Sequence, residues 1–239
     1  MEMENRYKGL QSAATSYAQA KAAEVLLHFE EWDILSSLAP VQETPPGEEL
    51  FRQGSTPREV YLVEKGLVKL THTDEEGQEM IVGLRFPGSM LGAASAIVQR
   101  PHPMSVITLM ACLLRRIPLN RFLDLARTDS RLSWYLHRVH SREVYEQPGQ
   151  LAEMRCLTAR QRLEQLVWQM MSAAAPANGN KQIRLNLPLR YWEIAQLIGV
   201  TPEHLSRQLK QLRDEGILER DNATLIIHDP QRLYHSVES

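Results

Sequence analysis

The chain contains 239 residues, which is long enough for one large domain or two smaller ones. Hydrophobic residues make up 43% of the sequence and charged residues 23%, a composition typical of a globular protein with a buried core. The formal net charge of -2 argues against a protein that coats nucleic acid indiscriminately, although a locally basic segment could still bind DNA.

The N-terminal region is predicted to be helical. The stretch from Ser12 to Leu38 is rich in helix formers and contains no glycine or proline. Large apolar residues recur in it at helical spacing, which indicates one or two amphipathic helices: Val25, Leu26, Phe29, Trp32 and Leu35. Pro40 and the run Pro45-Pro46-Gly47 end this region.

In residues 48–118 the spacing of the apolar residues changes to the two-residue period of β-strands. Apolar and polar residues alternate from Val60 to Leu70 and again from Met80 to Leu84. Turn signals separate these runs at regular spacing: Gln53-Gly54, Lys65-Gly66, Asp74-Glu75-Glu76-Gly77 and Pro87-Gly88. Short alternating strands with such punctuation indicate an antiparallel roll or barrel.

A long helical region is predicted to follow Pro118. Leu132, Leu136 and Val139 keep three- and four-residue steps, and helical spacing continues from Leu151 to Met171. Pro148-Gly149 lies inside this region, where a proline removes one hydrogen bond and kinks the axis. Two interpretations stay open at this point, a functional kink and a helix that ends and restarts at Gln150.

The C-terminal region contains two short helices and a hairpin. The helices are predicted at Arg190–Ile198 and Pro202–Glu215, and the hairpin crosses Asp221-Asn222. Gly199 can adopt a positive φ in the turn between the helices. Thr201 is a preferred N-cap residue, and Pro202 occupies the first helical position, where its missing N–H costs nothing.

The second of these helices has one apolar and one polar face. Leu205, Leu209 and Leu212 are expected to be buried, whereas Glu203 and Arg207 lie four residues apart on the opposite face. Arginine can bond to guanine O6 and N7, and glutamate can accept from cytosine N4. A helix pair of this layout presents its second helix to the DNA major groove. The alternatives are a solvated helical hairpin and a plain salt bridge between Glu203 and Arg207.

Two groups of motifs resemble the Crp/Fnr family of bacterial transcription regulators. The first is the stretch from Glu193 to Arg207, continued to Leu218, which resembles the DNA-binding signature of that family. The second lies in the predicted roll: Pro46-Gly47-Glu48, Arg52-Gln53-Gly54, Tyr61–Lys69, Glu76–Met80 and Pro87-Gly88. The resemblance covers roughly Pro40 to Asp229.

This resemblance implies an α+β fold. Its parts are an antiparallel β-roll of the cyclic-nucleotide-binding jelly-roll type, a long dimerisation helix and a winged helix-turn-helix. The expected domains are an N-terminal helical extension, the β-roll sensor, the dimerisation helix and the DNA-binding domain, at residues 1–39, 40–118, 119–156 and 157–239. The resemblance also implies a homodimer in which Leu132, Leu136 and Val139 pack across the dimer axis. Thr158 lies near the expected hinge, where it could cap the following helix.

The second helix resembles the Fnr-type recognition pattern Glu-x-x-Ser-Arg at Glu203, Ser206 and Arg207. Catabolite activators usually carry arginine where this chain has Pro202, so an Fnr-like palindromic half-site with a guanine at Arg207 is implied. The residues expected to contact double-stranded DNA are Arg190, Thr201, Glu203, His204, Ser206, Arg207 and Lys210. An activator of this type would also contact RNA polymerase.

The effector site departs from the pattern of cyclic-nucleotide binders. Such proteins carry Gly-Glu for the ribose and Arg-Ser for the cyclic phosphate, whereas this chain has Gly92-Ala93 and His102-Pro103. Since the ribose acceptor is missing, the sequence disfavours cyclic AMP. The residues expected at an effector pocket are Gly92, Ala93, Arg100, His102 and Gln147.

The sequence gives no support for a cofactor or for catalysis. The two cysteines, Cys112 and Cys156, lie far apart and do not have the spacing of metal ligands. An iron–sulfur cluster needs four thiolates, so the presence of only two cysteines excludes such a cluster. The histidines show no metal-ligand pattern, so haem or a metal ion is unsupported, and His102 would be the first candidate ligand. Cys112 is expected in the core of a strand. No nucleophile motif occurs, so we do not expect an enzyme.

Three hypotheses follow. The first is a signal-responsive, homodimeric regulator whose DNA affinity is modulated through the β-roll. The second keeps DNA binding but has no effector, so that protein abundance sets activity. The third is a ligand-binding or catalytic β-roll whose helical tail makes only protein contacts. A signal peptide and an apolar run of membrane-spanning length are both missing, so we expect a cytoplasmic protein that does not enter a membrane.

Overall fold

The structure is a computed structural model that describes residues 39–173 and 183–235. These residues form two compact units. One consists of residues 39–157 together with 188–197, and the other of residues 158–173, 183–187 and 198–235. Most of the predicted N-terminal extension, residues 1–38, lies outside the described residues.

The first unit contains the predicted β-roll. Its eight strands are β1 (Val41–Thr44), β2 (Glu49–Phe51), β3 (Glu59–Lys65), β4 (Val68–Thr73), β5 (Glu79–Arg85), β6 (Met90–Leu91), β7 (Ser105–Thr108) and β8 (Cys112–Pro118). They form two four-stranded antiparallel sheets, in the orders β1-β8-β3-β6 and β2-β7-β4-β5. A short helix, α1 (Ala93–Val98), connects β6 to β7.

Strand β3 is buried on both of its faces. Tyr61 and Val63 point into a core cluster inside the roll, together with Val106 and other apolar residues of both sheets. Val60 and Leu62 alternate with them and belong to a second cluster. Because successive side chains of a strand point to opposite sides, one strand serves both clusters. The predicted core position of Cys112 is confirmed, since its side chain is buried in the first cluster.

The second cluster joins the roll to two helices, α2 (Leu119–Thr128) and α3 (Ser130–Cys156). Phe122 of α2 and Leu132 of α3 are fully buried in it. Helix α3 continues through Pro148 and Gly149, so the interpretation that the helix ends there and restarts at Gln150 is wrong.

The continuous helical spacing from Leu151 to Met171 is interrupted in the structure. Helix α3 ends at Cys156, and α4 spans Ala159–Ala173. Thr158 accounts for the break, because its hydroxyl accepts a hydrogen bond from the Gln161 N–H at 3.2 Å. The Gln161 side chain accepts one in return from the Thr158 N–H at 2.9 Å. This reciprocal pair is a capping box, which starts a new helix, so the predicted cap at Thr158 is confirmed.

The C-terminal elements follow the predicted order. They are β9 (Ile183–Asn186), α5 (Tyr191–Leu197), α6 (Pro202–Asp214), β10 (Leu218–Asp221), β11 (Thr224–Ile227) and α7 (Pro230–His235). The three strands form an antiparallel sheet in the order β10-β11-β9. The predicted hairpin forms, with Asn222 at φ 52° in its turn. Within the described residues, the helices are too short or too polar to cross a membrane.

Candidate nucleic-acid interface

Four residues separate α5 from α6 and set where α6 begins. Gly199 adopts a φ of 64°, a left-handed conformation that favours glycine. Thr201 has extended backbone angles, and its hydroxyl accepts a hydrogen bond from the His204 N–H at 3.3 Å. Pro202 is the first helical residue. Thr201 is therefore the N-cap of α6, as its sequence position predicts.

Helix α6 buries one face and exposes the other. Leu205 and Leu212 are fully buried, and Leu209 lies beside them on the same face. Most of the candidate DNA contacts lie on the outer face and are exposed: Thr201, Glu203, Ser206, Arg207 and Lys210. His204 is half-buried. The helix thus presents carboxylate, hydroxyl, guanidinium and ammonium groups along about two turns.

Glu203 is ionised at the start of this face. Its own backbone N–H is the main group that lowers the pKa of its carboxyl, followed by the Thr201 hydroxyl and the positive charge of Arg207. Both Glu203 and Arg207 are described, yet no ion pair within 4.0 Å joins them. The plain salt bridge considered from the sequence is therefore not formed. Both groups remain available to hydrogen-bond partners outside the chain.

Two arginines of helix α4 donate hydrogen bonds to α6 and to the turn before it. Arg160 forms two hydrogen bonds to the carboxylate of Glu215, the C-cap of α6, at 2.5 and 2.7 Å. Its Nε also donates to the buried Glu164 at 2.9 Å. Arg162 donates to the carbonyl oxygen of Ile198 at 2.7 Å. Sequence reasoning missed the contacts of Arg160 with Glu215 and of Arg162 with Ile198, because these partners lie 55 and 36 positions apart and no local pattern connects them.

Arg190 is placed differently from the other candidate DNA contacts. Its side chain is exposed, but the residue belongs to the compact unit of the roll. Its backbone N–H donates to the Glu193 carboxylate at 2.7 Å, one residue before α5 begins. The other six candidates all lie between residues 201 and 210 of the second unit.

The expected effector pocket is only partly assembled. Gly92 and His102 come together inside the roll, where a Cβ on Gly92 would lie 3.2 Å from the His102 ring. Ala93 instead packs in the cluster formed with α2 and α3, and Arg100 is exposed. The side chain of Gln147 lies outside the described part of the structure. The prediction that Ala93 and Arg100 share a pocket with His102 is therefore not supported.

The ring of His102 is buried and neutral inside the roll. Only 3% of its surface is exposed, and its ring stacks on Phe51 with the centroids 3.8 Å apart. Burial lowers the pKa of His102. Its Nδ1 has no hydrogen-bond partner among the described residues. A cyclic phosphate needs a cation and several N–H donors, so the stacked aromatic pair does not fit such a ligand.

Comparison with known proteins agrees with both halves of the structure. Residues 41–129 match the model of the cyclic nucleotide-binding domain, and residues 161–236 match that of the Crp-like helix-turn-helix domain. The transcriptional activator FnrA of Stutzerimonas stutzeri is 27% identical over 82% of this chain and 79% of its own length. The transcriptional activator Anr of Pseudomonas protegens is 28% identical over 87% and 84%. The chain belongs to the Crp/Fnr family of transcription regulators.

Solved structures show the same fold. FixK2 from Bradyrhizobium japonicum superposes with a TM-score of 0.69 at 21% identity, over 82% of this chain and 96% of that chain. A regulatory protein from Silicibacter pomeroyi, described as a putative cAMP-binding protein, gives 0.69 at 24% identity, over 93% and 100%. Membership of the Crp/Fnr family makes this chain a DNA-binding transcription regulator, not an enzyme.

Two of the three predicted dimer contacts need correction. Leu132 and Leu136 are buried in the protomer's own core with Phe122, and Val139 packs against the same cluster. Leu132 and Leu136 are therefore not free to pack across a dimer axis, whereas Val139 is only half-buried and stays a predicted dimer contact. The exposed apolar residues of α3 are Trp134, Val144 and Tyr145, which are 63%, 69% and 86% exposed. The helical spacing in the sequence identified the apolar face of α3 that is buried within the protomer. It did not identify the exposed apolar face.

Proposed function

We propose that this Crp/Fnr regulator binds a palindromic site in double-stranded DNA as a homodimer, with α6 of each protomer in the major groove. The observation that carries the proposal is the exposed row of Glu203, Ser206 and Arg207 on a helix capped by Thr201. Arg207 would bond to a guanine, and the ionised Glu203 would accept from a cytosine. The site of action would be the cytoplasm, where the DNA is.

The dimer interface would be the exposed apolar surface of α3, formed by Trp134, Val144 and Tyr145. Contiguous exposed apolar side chains mark interaction surfaces, and Val144 and Tyr145 adjoin each other on this helix. A two-fold symmetric dimer would carry two α6 helices, one for each half of a palindromic site. Two half-sites one DNA turn apart, roughly 34 Å, fit such a dimer. Two relatives are named as transcriptional activators. An activator role for this chain would add contact with RNA polymerase after DNA binding.

Regulation through the roll would not use cyclic AMP. Gly92-Ala93 offers no side-chain acceptor for a ribose, and the neutral His102 stacked on Phe51 offers no cation for a phosphate. We propose neither haem nor an iron–sulfur cluster as a resident cofactor. The filled position of His102 also favours a second version, in which the dimer binds DNA without any effector and abundance sets its activity.

Selection of bound duplexes from a random pool tests this function. The purified full chain should enrich a two-fold symmetric motif with a guanine in each half-site. Failure to enrich any motif, or enrichment of an asymmetric single site, would contradict the proposal. Titration of the purified chain without any additive then separates the two versions, since full affinity favours the effector-independent regulator. Added cyclic AMP should change nothing in either version.

A variant of α6 and a matched control test whether Lys210 contacts a DNA phosphate. Lys210→Ala should weaken binding to all sequences alike and reduce the salt dependence by about one unit of slope, because a phosphate contact releases about one counterion. Lys65→Ala removes the same charge from an exposed position on β3 and should leave binding unchanged. Equal losses in the two variants would show a non-specific charge effect.

A further inference from the structure

Helix α5, the first helix of the helix-turn-helix, is part of the compact unit of the roll. The Lys69 Nζ of β4 lies 2.5 Å from the Glu193 Oε1 of α5, although the residues are 124 positions apart. Both side chains are largely buried, with 14% and 4% exposed. A buried carboxylate needs a charged or hydrogen-bonding partner, so Lys69 holds Glu193 in place.

A second contact joins the same helix to the neighbouring strand. The Ile81 N–H of β5 donates to the Gln196 side-chain oxygen at 3.1 Å. Strand β5 is at the edge of its sheet, and an edge strand has backbone groups without a partner strand. Gln196 lies three residues after Glu193, on the same side of α5. The two side chains therefore attach one face of α5 to two adjacent strands.

Glu193 also shapes the start of its own helix. Its Oε2 accepts the Arg190 N–H at 2.7 Å, while Oε1 binds Lys69. One carboxylate thus connects the roll to the first turn of α5. Only residues 198–201 separate the end of α5 from α6, so the chain beyond α5 is short.

We propose that Lys69 is a positioning residue for DNA binding, acting through Glu193 on α5 and thereby on the start of α6. The roll would then influence the recognition helix through the contacts of β4 and β5 with α5, in addition to any signal carried by α3. The proposal rests on the DNA-binding function. It gives the roll a role in setting DNA affinity even where no effector is bound.

A double-mutant cycle tests the proposal. Lys69→Met removes the charge and keeps much of the side-chain volume, while Glu193→Gln keeps an acceptor for the Arg190 N–H. Each single variant should change the DNA dissociation constant at least fivefold, in the same direction. The double variant should show at least fivefold less change than the product of the two single effects. Lys69→Arg should restore most of the wild-type affinity.

Lys65→Met is the matched control, because Lys65 is an exposed lysine of the same roll. It should leave affinity within twofold of wild type. Single variants within twofold of wild type, independent effects in the double variant, or equal changes for Lys65 and Lys69 would each overturn the proposal. If Lys69→Met does not fold, Gln196→Ala takes its place, since its loss should shift affinity in the same direction as Glu193→Gln.

Hydrogen–deuterium exchange separates this proposal from the function on which it rests. Backbone amides of residues 191–197 should exchange faster in Lys69→Met, or in Gln196→Ala, than in Lys65→Met, whether or not DNA is present. A wild-type chain that selects no DNA would contradict the proposed function. Unchanged exchange in this helix would contradict the coupling itself.

Discussion

Arg160 of α4 holds the carboxylate of Glu215 with two hydrogen bonds, at 2.5 and 2.7 Å, and so fixes the end of the helix that carries the candidate DNA contacts. The same guanidinium is the partner of Glu164, whose side chain is fully buried. The paired carboxylates raise the pKa of Arg160, with Glu215 contributing most. This three-residue cluster joins α4 to the C-cap of α6.

Replacing Arg160 with methionine should destabilise the DNA-binding unit by about 3 kcal/mol, because a buried Glu164 carboxylate loses its partner. Urea unfolding followed by circular dichroism measures the change. Arg213→Met is the control, since Arg213 is exposed near the end of α6, and it should stay within about 0.5 kcal/mol of wild type. Equal stability of the two variants would show that the cluster is not structural.

Asp129 gives α3 a pH-dependent cap. Its Oδ1 accepts the N–H groups of Arg131 and Leu132, at 2.9 and 3.2 Å. The Arg131 side chain is the main cause that lowers the pKa of Asp129 to about 2. A carboxyl with a depressed folded pKa stabilises the fold above its unfolded pKa and loses that contribution as the pH falls through the folded value.

The wild-type chain should therefore lose stability relative to Asp129→Asn as the pH falls from about 4 to about 2. Asparagine keeps an acceptor for the two backbone N–H groups but does not titrate. Thermal unfolding at a series of pH values measures the difference. Parallel curves for the two proteins would contradict this account of the cap.

Local signals in the sequence were sufficient for much of the fold. Strand alternation marked β3, and the order Gly199, Thr201, Pro202 located the start of α6 to the residue. Each of these features depends on neighbours within a few positions. Leu132 and Leu136 were recognised as apolar but assigned to the wrong partner, because periodicity shows that a face is buried and not what covers it.

The long-range contacts had no sequence signal. Lys69 and Glu193 look like ordinary surface charges until the fold brings β4 and α5 together. The same holds for His102, whose stacking on Phe51 joins positions 51 residues apart in the chain. The resemblance to cyclic-nucleotide binders located this region, but only the packing showed that the ring is buried.

The buried ring of His102 predicts how the stability of the fold changes near neutral pH. Burial lowers the pKa of His102 below its usual value of 6.5. The unfolded chain therefore takes up a proton first, and stability should fall as the pH drops below about 6.5. His102→Phe should reduce this slope while keeping the stack on Phe51. A fluorescence-detected unfolding series from pH 7.5 to 5 measures it, and an unchanged slope would contradict a neutral, buried ring.

The exposed face of α3 should control assembly. Tyr145→Glu combined with Trp134→Glu should convert the dimer to monomers in sedimentation velocity, because charges replace two exposed apolar side chains. Leu113→Glu, at an exposed position on β8, is the matched control and should remain dimeric. By contrast, Leu132→Ala should cost about 3 kcal/mol of stability, since it opens a cavity in the protomer's core. A double variant that stays dimeric would place the interface elsewhere.

The most direct test of the account measures how Arg207 affects base preference. Wild type and Arg207→Ala are titrated by fluorescence anisotropy against four duplexes that differ only at the selected guanine position. We predict that wild type prefers guanine by about 1–3 kcal/mol and that the variant binds all four duplexes with nearly equal, weaker affinity. A variant that keeps the wild-type preference for guanine would contradict the assignment of α6 as the recognition helix.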